Sequence, residues 1–328
     1  MKVGIIGAGG MGRVYARSFR QISGVEVHAV NDIDENRMKQ LAEEYNVPVQ
    51  YKSWEDLVED PEIDAVAVCT PPAFHKEMTV KALKNGKHVI CEKPPALNAA
   101  EAKEMADEAE KQHRVLMFGF QWRFLPQAEY VWNLARKGFF GEIYRARARY
   151  LRMQGAPAGW FRLKKYAGGG ALMDIGVHVI DLAWWLTGRR KPVKALGASY
   201  DLLGKFEVDD TFIGYVLFDN GLSMIVEASW LQNWPNEIEI KLYGTKAGAE
   251  VTQLEICRKI EGITGAYVST KPILEKRDTQ LAKIKHFVDI TNTGPTEHTP
   301  TGEDAVTVMK IIDALYKSSS EGTPVKID

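Results

Sequence analysis

Three groups of residues in this 328-residue chain have types and spacing suited to chemistry. The first is the loop Gly7-Ala8-Gly9-Gly10-Met11-Gly12, a GxGxxG spacing that follows an apolar run and precedes a helix-compatible one. The first glycine permits a tight turn, the second lets backbone approach a pyrophosphate, and the third lets helix pack on strand. A pyrophosphate then sits on free amide donors at the helix N-terminus, so Gly7, Gly9, Gly10, Met11 and Gly12 are expected to line a dinucleotide. Asp32 closes the next apolar run, 20 residues after Gly12. A carboxylate there accepts from both hydroxyls of the adenosine ribose and repels a 2'-phosphate, which favours NAD over NADP. Asp34 competes for this role but reads better as the cap of a helix opening Asp34-Glu35-Asn36-Arg37, and Arg37 could still tolerate a phosphate.

The second group is Asp174 and His178, four apart in a strongly apolar stretch that reads as a helix, so that both project from one face. An imidazole, with an unperturbed pKa of ~6.5, can take the proton of a substrate hydroxyl while hydride leaves the same carbon for a nicotinamide. His178 is therefore the candidate general base, and Asp174 could bind substrate hydroxyls and raise the basicity of His178. The third group is Lys93, held by Pro94 near the carboxyl end of a strand, where an ammonium can polarise the reacting oxygen. Each residue alone also has a plain reading: a histidine in an apolar helix is often a core residue, and a lysine at a strand end a solvated charge. Asp181, seven residues beyond Asp174, could share its face or make a structural hydrogen bond.

The elements that must position these residues are legible in outline. Over the first 120 residues short apolar runs alternate with amphipathic stretches, as in strands joined by crossover helices in a parallel sheet. Strands are expected at Val3 to Ile6, Val25 to Asn31, Ala65 to Cys69, His88 to Cys91 and Val115 to Gly119. Helices are expected at Arg37 to Tyr45, Lys76 to Lys84 and Ala99 to Gln112. Beyond Arg123 the pattern changes. Pro126 to Lys137 reads as a helix and Glu142 to Arg152 as a long strand. Gly168-Gly169-Gly170 precedes a helix from about Ala171 to Leu186, and strand-like runs follow at Phe212 to Phe218, Leu222 to Ser229 and Glu237 to Tyr243. Short turns between them predict a largely antiparallel, open sheet, with two late helices near Ala282 to Thr291 and Glu303 to Ser318. The expected fold is α/β: a Rossmann domain over residues 1–121, then an α+β domain over 122–328 for substrate binding and oligomer contacts.

Composition bounds the rest. With 45% hydrophobic and 26% charged residues and a net charge of -1, the chain reads as a globular protein of about two domains and not as a nucleic-acid binder. Arg145, Arg147 and Arg149 alternate on a predicted strand, and a solvated face or a subunit contact accounts for them. Cys69, Cys91 and Cys257 are odd in number and scattered, encoding neither a disulfide framework nor a zinc knuckle. The start lacks a signal peptide's apolar core, and no apolar stretch approaches the ~20 residues that span a bilayer, so a cytoplasmic protein without membrane contact is expected. No HxxxH, HxxEH or acidic cluster has metal spacing.

Residues 70–95, TPPAFHKEMTVKALKNGKHVICEKPP, and 168–182, GGGALMDIGVHVIDL, together with the glycine loop, resemble the family of glucose-fructose oxidoreductase, inositol dehydrogenase and the rhizopine-catabolism protein, Gfo/Idh/MocA. The likeness runs over nearly the whole chain, to PTGEDA at Pro300 to Ala305. It implies a Rossmann domain, a second domain with an open sheet used for oligomer contacts, and an active site between them. It implies a catalytic role for Lys93, often followed by a cis proline, and supports Asp174 and His178 as catalytic and substrate-binding. It also implies that Thr70, Pro71 and His75 of a TPxxxH stretch lie by the cofactor, His75 with the alternative of merely starting its helix, and that Glu92 contacts the nicotinamide ribose. Gln121, Arg123, Trp160 and Arg162 are placed at the substrate by analogy. Pro72 stands where the family often has asparagine, which removes one cofactor contact. Trp184-Trp185 reads as core or interface.

The function expected is that of an NAD-dependent dehydrogenase oxidising a secondary hydroxyl of a cyclic polyol, sugar or sugar derivative, without a metal. The alternatives are a glycoside hydrolase of the same fold that retains NAD, and a nucleotide-binding sensor without turnover. A homodimer or homotetramer is expected, because an open sheet face carrying apolar residues needs cover.

Overall fold

A computed structural model describes residues 1–260 and 262–328. These fall into two compact units, one of Met1–Gln121 with Asp278–Met309, the other of Trp122–Arg277 with Lys310–Asp328.

In the first unit, strands β1 (Lys2–Ile6), β2 (Glu26–Asn31), β3 (Val49–Tyr51), β4 (Ala65–Val68), β5 (His88–Cys91) and β6 (Leu116–Phe118) form a sheet in the order β3-β2-β1-β4-β5-β6. Every pair is parallel. Helices α1 (Gly10–Phe19), α2 (Glu35–Tyr45), α3 (Trp54–Glu59), α4 (His75–Lys84) and α5 (Ala99–Lys111) link the strands. All four residues of β4 are buried, as a central strand covered on both faces requires. The helices begin where short polar side chains take up their free amides: Asp34 caps α2, Ser53 caps α3 and Asn98 caps α5. Strand order reverses between β1 and β4, and the glycine loop, Thr70 and Lys93 all follow the carboxyl ends of strands β1, β4 and β5, where such sheets bind ligands. The short edge strand β3 was not expected, since three residues carry no readable alternation.

The second unit opens with α6 (Pro126–Arg136) and β7 (Ile143–Leu151), then α7 (Lys164–Ala167), a π-helical turn (Leu172–Gly176) and α8 (Val177–Leu186). Strands β8 (Pro192–Tyr200), β9 (Thr211–Phe218), β10 (Ser223–Ser229), β11 (Glu237–Gly244), β12 (Ala247–Glu250), β13 (Glu255–Lys259) and β14 (Tyr267–Thr270) follow. With β7 and the terminal β15 (Val325–Lys326) they form a nine-stranded sheet among the described residues, ordered β14-β13-β12-β11-β7-β10-β9-β8-β15. Its pairs are antiparallel except β7 with β10. Arg149 pairs across strands with Glu227 and Glu237, Arg147 with Glu239, and Arg145 lies over the Tyr243 ring. The predicted arginine ladder is thus neutralised within its own sheet. Every residue of α8 is buried, including Trp184 and Trp185, which places this tryptophan pair in the core.

Between these elements, α9 (Thr279–Thr293) returns to the first unit, and α10 (Gly302–Glu321) begins there and ends in the second. The second unit is therefore not the uninterrupted 122–328 of the sequence reading. Periodicity marks α9 as a helix but is silent on which sheet receives its apolar face.

The glycine triplet shows how tightly the start of the π-helical turn is fixed. A Cβ at Gly170 would lie 1.7 Å from the backbone oxygen of Asp209, and the Asp209 carboxylate accepts the amides of Gly170 (2.8 Å) and Leu172 (3.0 Å). Gly170→Ala is expected to destabilise the protein by at least about 1–3 kcal/mol through overpacking; an unchanged urea midpoint would contradict this.

Candidate functional site

The glycine loop has the shape a dinucleotide needs. Gly7 adopts φ +99°, and a Cβ at Gly12 would lie 2.0 Å from the Gly7 carbonyl oxygen. Neither position accepts a side chain. A Cβ at Gly9 or Gly10 would meet nothing within 4 Å, so the outer side of the loop is open. Helix α1 starts from Gly9 with no side-chain cap and no acidic residue in its first turn, which leaves its amide donors and its positive end to an anion. The Asp32 carboxylate accepts from the Ala8 amide (2.6 Å) and the Asp34 amide (2.8 Å), fixed between the glycine loop and α2. Each anchored oxygen retains acceptor capacity for a ribose hydroxyl. Asp34 caps α2 through the amides of Asn36 and Arg37, as expected, and also pairs with the Arg37 guanidinium at 3.3 Å. These residues fit an NAD molecule.

Around Lys93 the structure meets the expectation of a cis proline and departs from those for His75 and Glu92. The Lys93–Pro94 peptide is cis. His75, expected beside the cofactor, is fully buried, with Nδ1 2.9 Å from the Pro94 carbonyl and Nε2 2.8 Å from the Thr70 carbonyl. It ties the end of β4 to the lysine loop and has no surface for a ligand. Burial pushes its pKa down, against the pull of the two carbonyls. Thr70 and Pro71 are part-exposed at the carboxyl end of β4, where a cofactor contact remains open to them.

Glu92 is likewise drawn inward. Its Oε1 accepts from the Tyr15 hydroxyl (2.9 Å) and the Lys283 ammonium (2.8 Å), and its Oε2 accepts from the Lys93 amide (3.1 Å). The Lys283 side chain is wholly buried, with its ammonium 4.5 Å from the centre of the Tyr15 ring. Burial works against the Glu92 anion, yet Lys283, aided by Lys93 and Tyr15, holds the carboxyl below its usual range. Sequence reasoning missed Lys283. The available signal was its place on the apolar stripe of α9, with Phe287 and Ile290 four and seven residues on.

In the second unit, the Asp209 carboxylate caps the helical stretch from outside and also accepts from Tyr316 (2.7 Å). Burial raises its pKa against these donors. Asp174 lies in the π-helical turn and His178 in the first turn of α8, so the stretch is not the regular α-helix expected from Ala171 onward. Trp230 donates to Asp174 Oδ2 at 3.2 Å, and Arg152 Nη1 lies 3.7 Å from the same oxygen. The Trp122 ring stacks on His178 at 5.1 Å and leans on Tyr150 at 5.4 Å. Trp122, Tyr150, Arg152 and Trp230 thus surround the predicted pair, and none was singled out as a site residue from sequence.

Arg123, expected at the substrate, is fully buried and grips Asp181 through Nε (3.0 Å) and Nη2, with its guanidinium also 5.5 Å from the Trp185 ring. This pair is buried in the core and gives Asp181 the structural hydrogen bond that was one of its two expected readings. Arg162 donates to the carbonyls of Pro157 (2.7 Å) and Ala156 (3.0 Å), bracing its own loop. Trp160 stacks on Phe161 and stays part-exposed. Gln121 ends the first unit, and its buried Oε1 has no hydrogen-bond partner among the described residues.

A doubly wound parallel sheet, an open phosphate-binding loop and an anchored ribose acceptor define a dinucleotide-dependent oxidoreductase. Residues 1–120 match the family model of the NAD-binding Rossmann fold of the GFO/IDH/MocA oxidoreductases, and residues 129–250 match the model of the GFO/IDH/MocA C-terminal domain. The chain belongs to the Gfo/Idh/MocA family and is an NAD-binding oxidoreductase. It is 30% identical to D-glucoside 3-dehydrogenase of Escherichia coli strain K12, over 100% of this chain and 97% of that protein. Against myo-inositol 2-dehydrogenase of Thermotoga maritima the identity is 26%, over 100% and 99%. The crystal structure of an aldose-aldose oxidoreductase from Caulobacter crescentus, complexed with glycerol, superposes with a TM-score of 0.86 at 26% identity, over 99% of both chains. Among the described residues no helix is long and apolar enough to cross a membrane.

Removing one partner of a buried ion pair leaves the other charge stranded. Lys283→Met is expected to cost about 3–5 kcal/mol, and Glu92→Gln in the same chain to recover most of it. Equal stability of the single and double variants in chemical denaturation would show that the two charges are not coupled.

Proposed function

We propose that this protein oxidises a secondary hydroxyl of a cyclic polyol, sugar or sugar derivative, reversibly, with NAD as acceptor. The observation that carries the reading is the stretch from Gly170 to His178. It presents a carboxylate and an imidazole among aromatic faces and is pinned at its start by a remote carboxylate. The nicotinamide, when bound, accepts the hydride. His178 Nε2 or Nδ1 takes the hydroxyl proton, with the stack on Trp122 fixing the plane of its ring. Asp174 orients substrate hydroxyls through the carboxylate that Trp230 holds in place. Lys93 supplies a positive charge to the reacting oxygen, its backbone set by the Glu92 carboxylate. The relatives named above act on a glucoside and on an inositol, which supports the polyol and sugar class.

The decisive assay follows NADH absorbance while the protein meets NAD and a panel of inositols, aldoses and their glycosides. NADH formation that depends on one of these compounds is expected. Release of a glycoside's leaving group without net NADH would instead favour a hydrolase. His178→Ala should lower turnover by at least about a hundredfold, the usual worth of a general base, with NAD affinity nearly intact. Loss of NAD binding in that variant would refute the assignment.

We infer further that the protein is a homo-oligomer, a dimer or a tetramer. Leu196, Ile213 and Tyr215, on adjoining strands β8 and β9, leave their side chains 44%, 46% and 42% exposed on one face of the large sheet. Such a patch favours burial against a second copy. Light scattering is expected to return a multiple of the 36.8 kDa chain mass, and a monomer at micromolar concentration would overturn the inference.

A further inference from the structure

Arg152 lies beside Asp174 of the predicted catalytic pair. Arg123, Arg149, Arg162 and Arg277 each donate at least one hydrogen bond from the guanidinium to a carboxylate or a carbonyl. The Arg152 side chain is only 25% exposed, yet its guanidinium makes no hydrogen bond to any described residue. Its nearest charge is Asp174 Oδ2, at 3.7 Å, beyond hydrogen-bond length. A guanidinium taken largely out of water with its donors unused is costly, so this one suits an acceptor that arrives with a ligand.

Its placement is rigid. The backbone amide of Arg152 donates to Ser229 (2.8 Å) and its carbonyl accepts from Gln232 (3.1 Å), which extends the strand pairing beyond β7 and β10. Trp230 donates to the same Asp174 oxygen and holds it in place. The cation and the anion are close enough for one oxygen atom, approaching from the side, to lie roughly 2.8 Å from each.

We propose that Arg152 and Asp174 form a subsite for one neutral hydroxyl on the carbon next to the one oxidised. A hydroxyl both accepts and donates, so its oxygen takes an N–H from Arg152 while its hydrogen goes to Asp174. A carboxylate there would meet Arg152 favourably but be repelled by Asp174, and an ammonium would meet the reverse. With a charge of each sign beside the hydroxyl, the subsite selects a vicinal diol and disfavours charged or deoxygenated substituents at that carbon. Arg152 is a specificity-determining residue in this scheme. The proposal rests on the dehydrogenase reading in placing the oxidised carbon by His178.

The test pairs a substrate change with a side-chain change. The polyol giving the fastest NADH formation, and its analogues deoxygenated singly at each flanking carbon, are assayed with wild type, Arg152→Met and Arg152→Lys. In wild type, deoxygenation at one flanking carbon should lower kcat/KM about tenfold or more, the worth of a hydrogen bond to a charged group. Arg152→Met should lower kcat/KM for the parent polyol by a similar factor and be indifferent to that deoxygenation, while Arg152→Lys keeps part of the discrimination. Losses that multiply in Arg152→Met, as they do for unconnected effects, would overturn the subsite. Calorimetric binding of myo-inositol and its monodeoxy analogues in the presence of NAD repeats the cycle without turnover. Coupled binding without NADH formation from any polyol would uphold the subsite and sink the dehydrogenase reading; turnover without coupling would do the opposite. Binding indifferent to both changes, or no binding at all, would overturn the subsite.

Discussion

Glu92 carries a negative charge into a place that water does not reach, and the first unit is organised around its neutralisation. One carboxylate draws a hydroxyl from α1, an ammonium from α9 and an amide from the lysine loop. These elements lie far apart in the chain, Glu92 and Lys283 being 191 positions apart. Stranding either charge would cost more than the pair gains, so the two hold one another in place. The glycine-loop helix, the cis Lys93–Pro94 turn and the returning helix are thereby fixed relative to one another. His75 adds a second tie, from Thr70 to Pro94.

The second unit uses the same device with different parts. Asp209, also a buried carboxylate, collects two amides and a phenol at the start of the helical stretch carrying Asp174 and His178. No side chain fits at Gly170, so the carboxylate reaches the amides at short range. A π-helical turn here widens the helix where Asp174 sits, a feature often associated with functional positions. In both units a buried carboxylate sets the backbone of residues proposed to touch substrate.

This arrangement separates two kinds of polar residue that look alike in a sequence. Arg123 and Asp181 are joined by two hydrogen bonds and buried in the core. Arg152 and Asp174 sit just too far apart for such a bond. The 3.7 Å spacing leaves the Arg152 donors to the ligand oxygen proposed above.

The sequence by itself determined the local matters. Short-range pattern is enough for a GxGxxG turn between strand and helix, because the turn's steric demands fall on neighbouring residues. The parallel sheet, the cap at Asp34 and a helix after the glycine triplet were legible for the same reason. Family likeness added the cis peptide after Lys93. Only the tertiary structure decided which polar groups face inward. That Glu92 pairs with Lys283, that His75 braces two carbonyls, that Arg123 is core and Arg152 is not, all depend on elements brought together from distant parts of the chain. Burial turns a polar side chain into either a satisfied partner or an available one, and that outcome is set by its neighbours in space, which spacing along the chain does not encode.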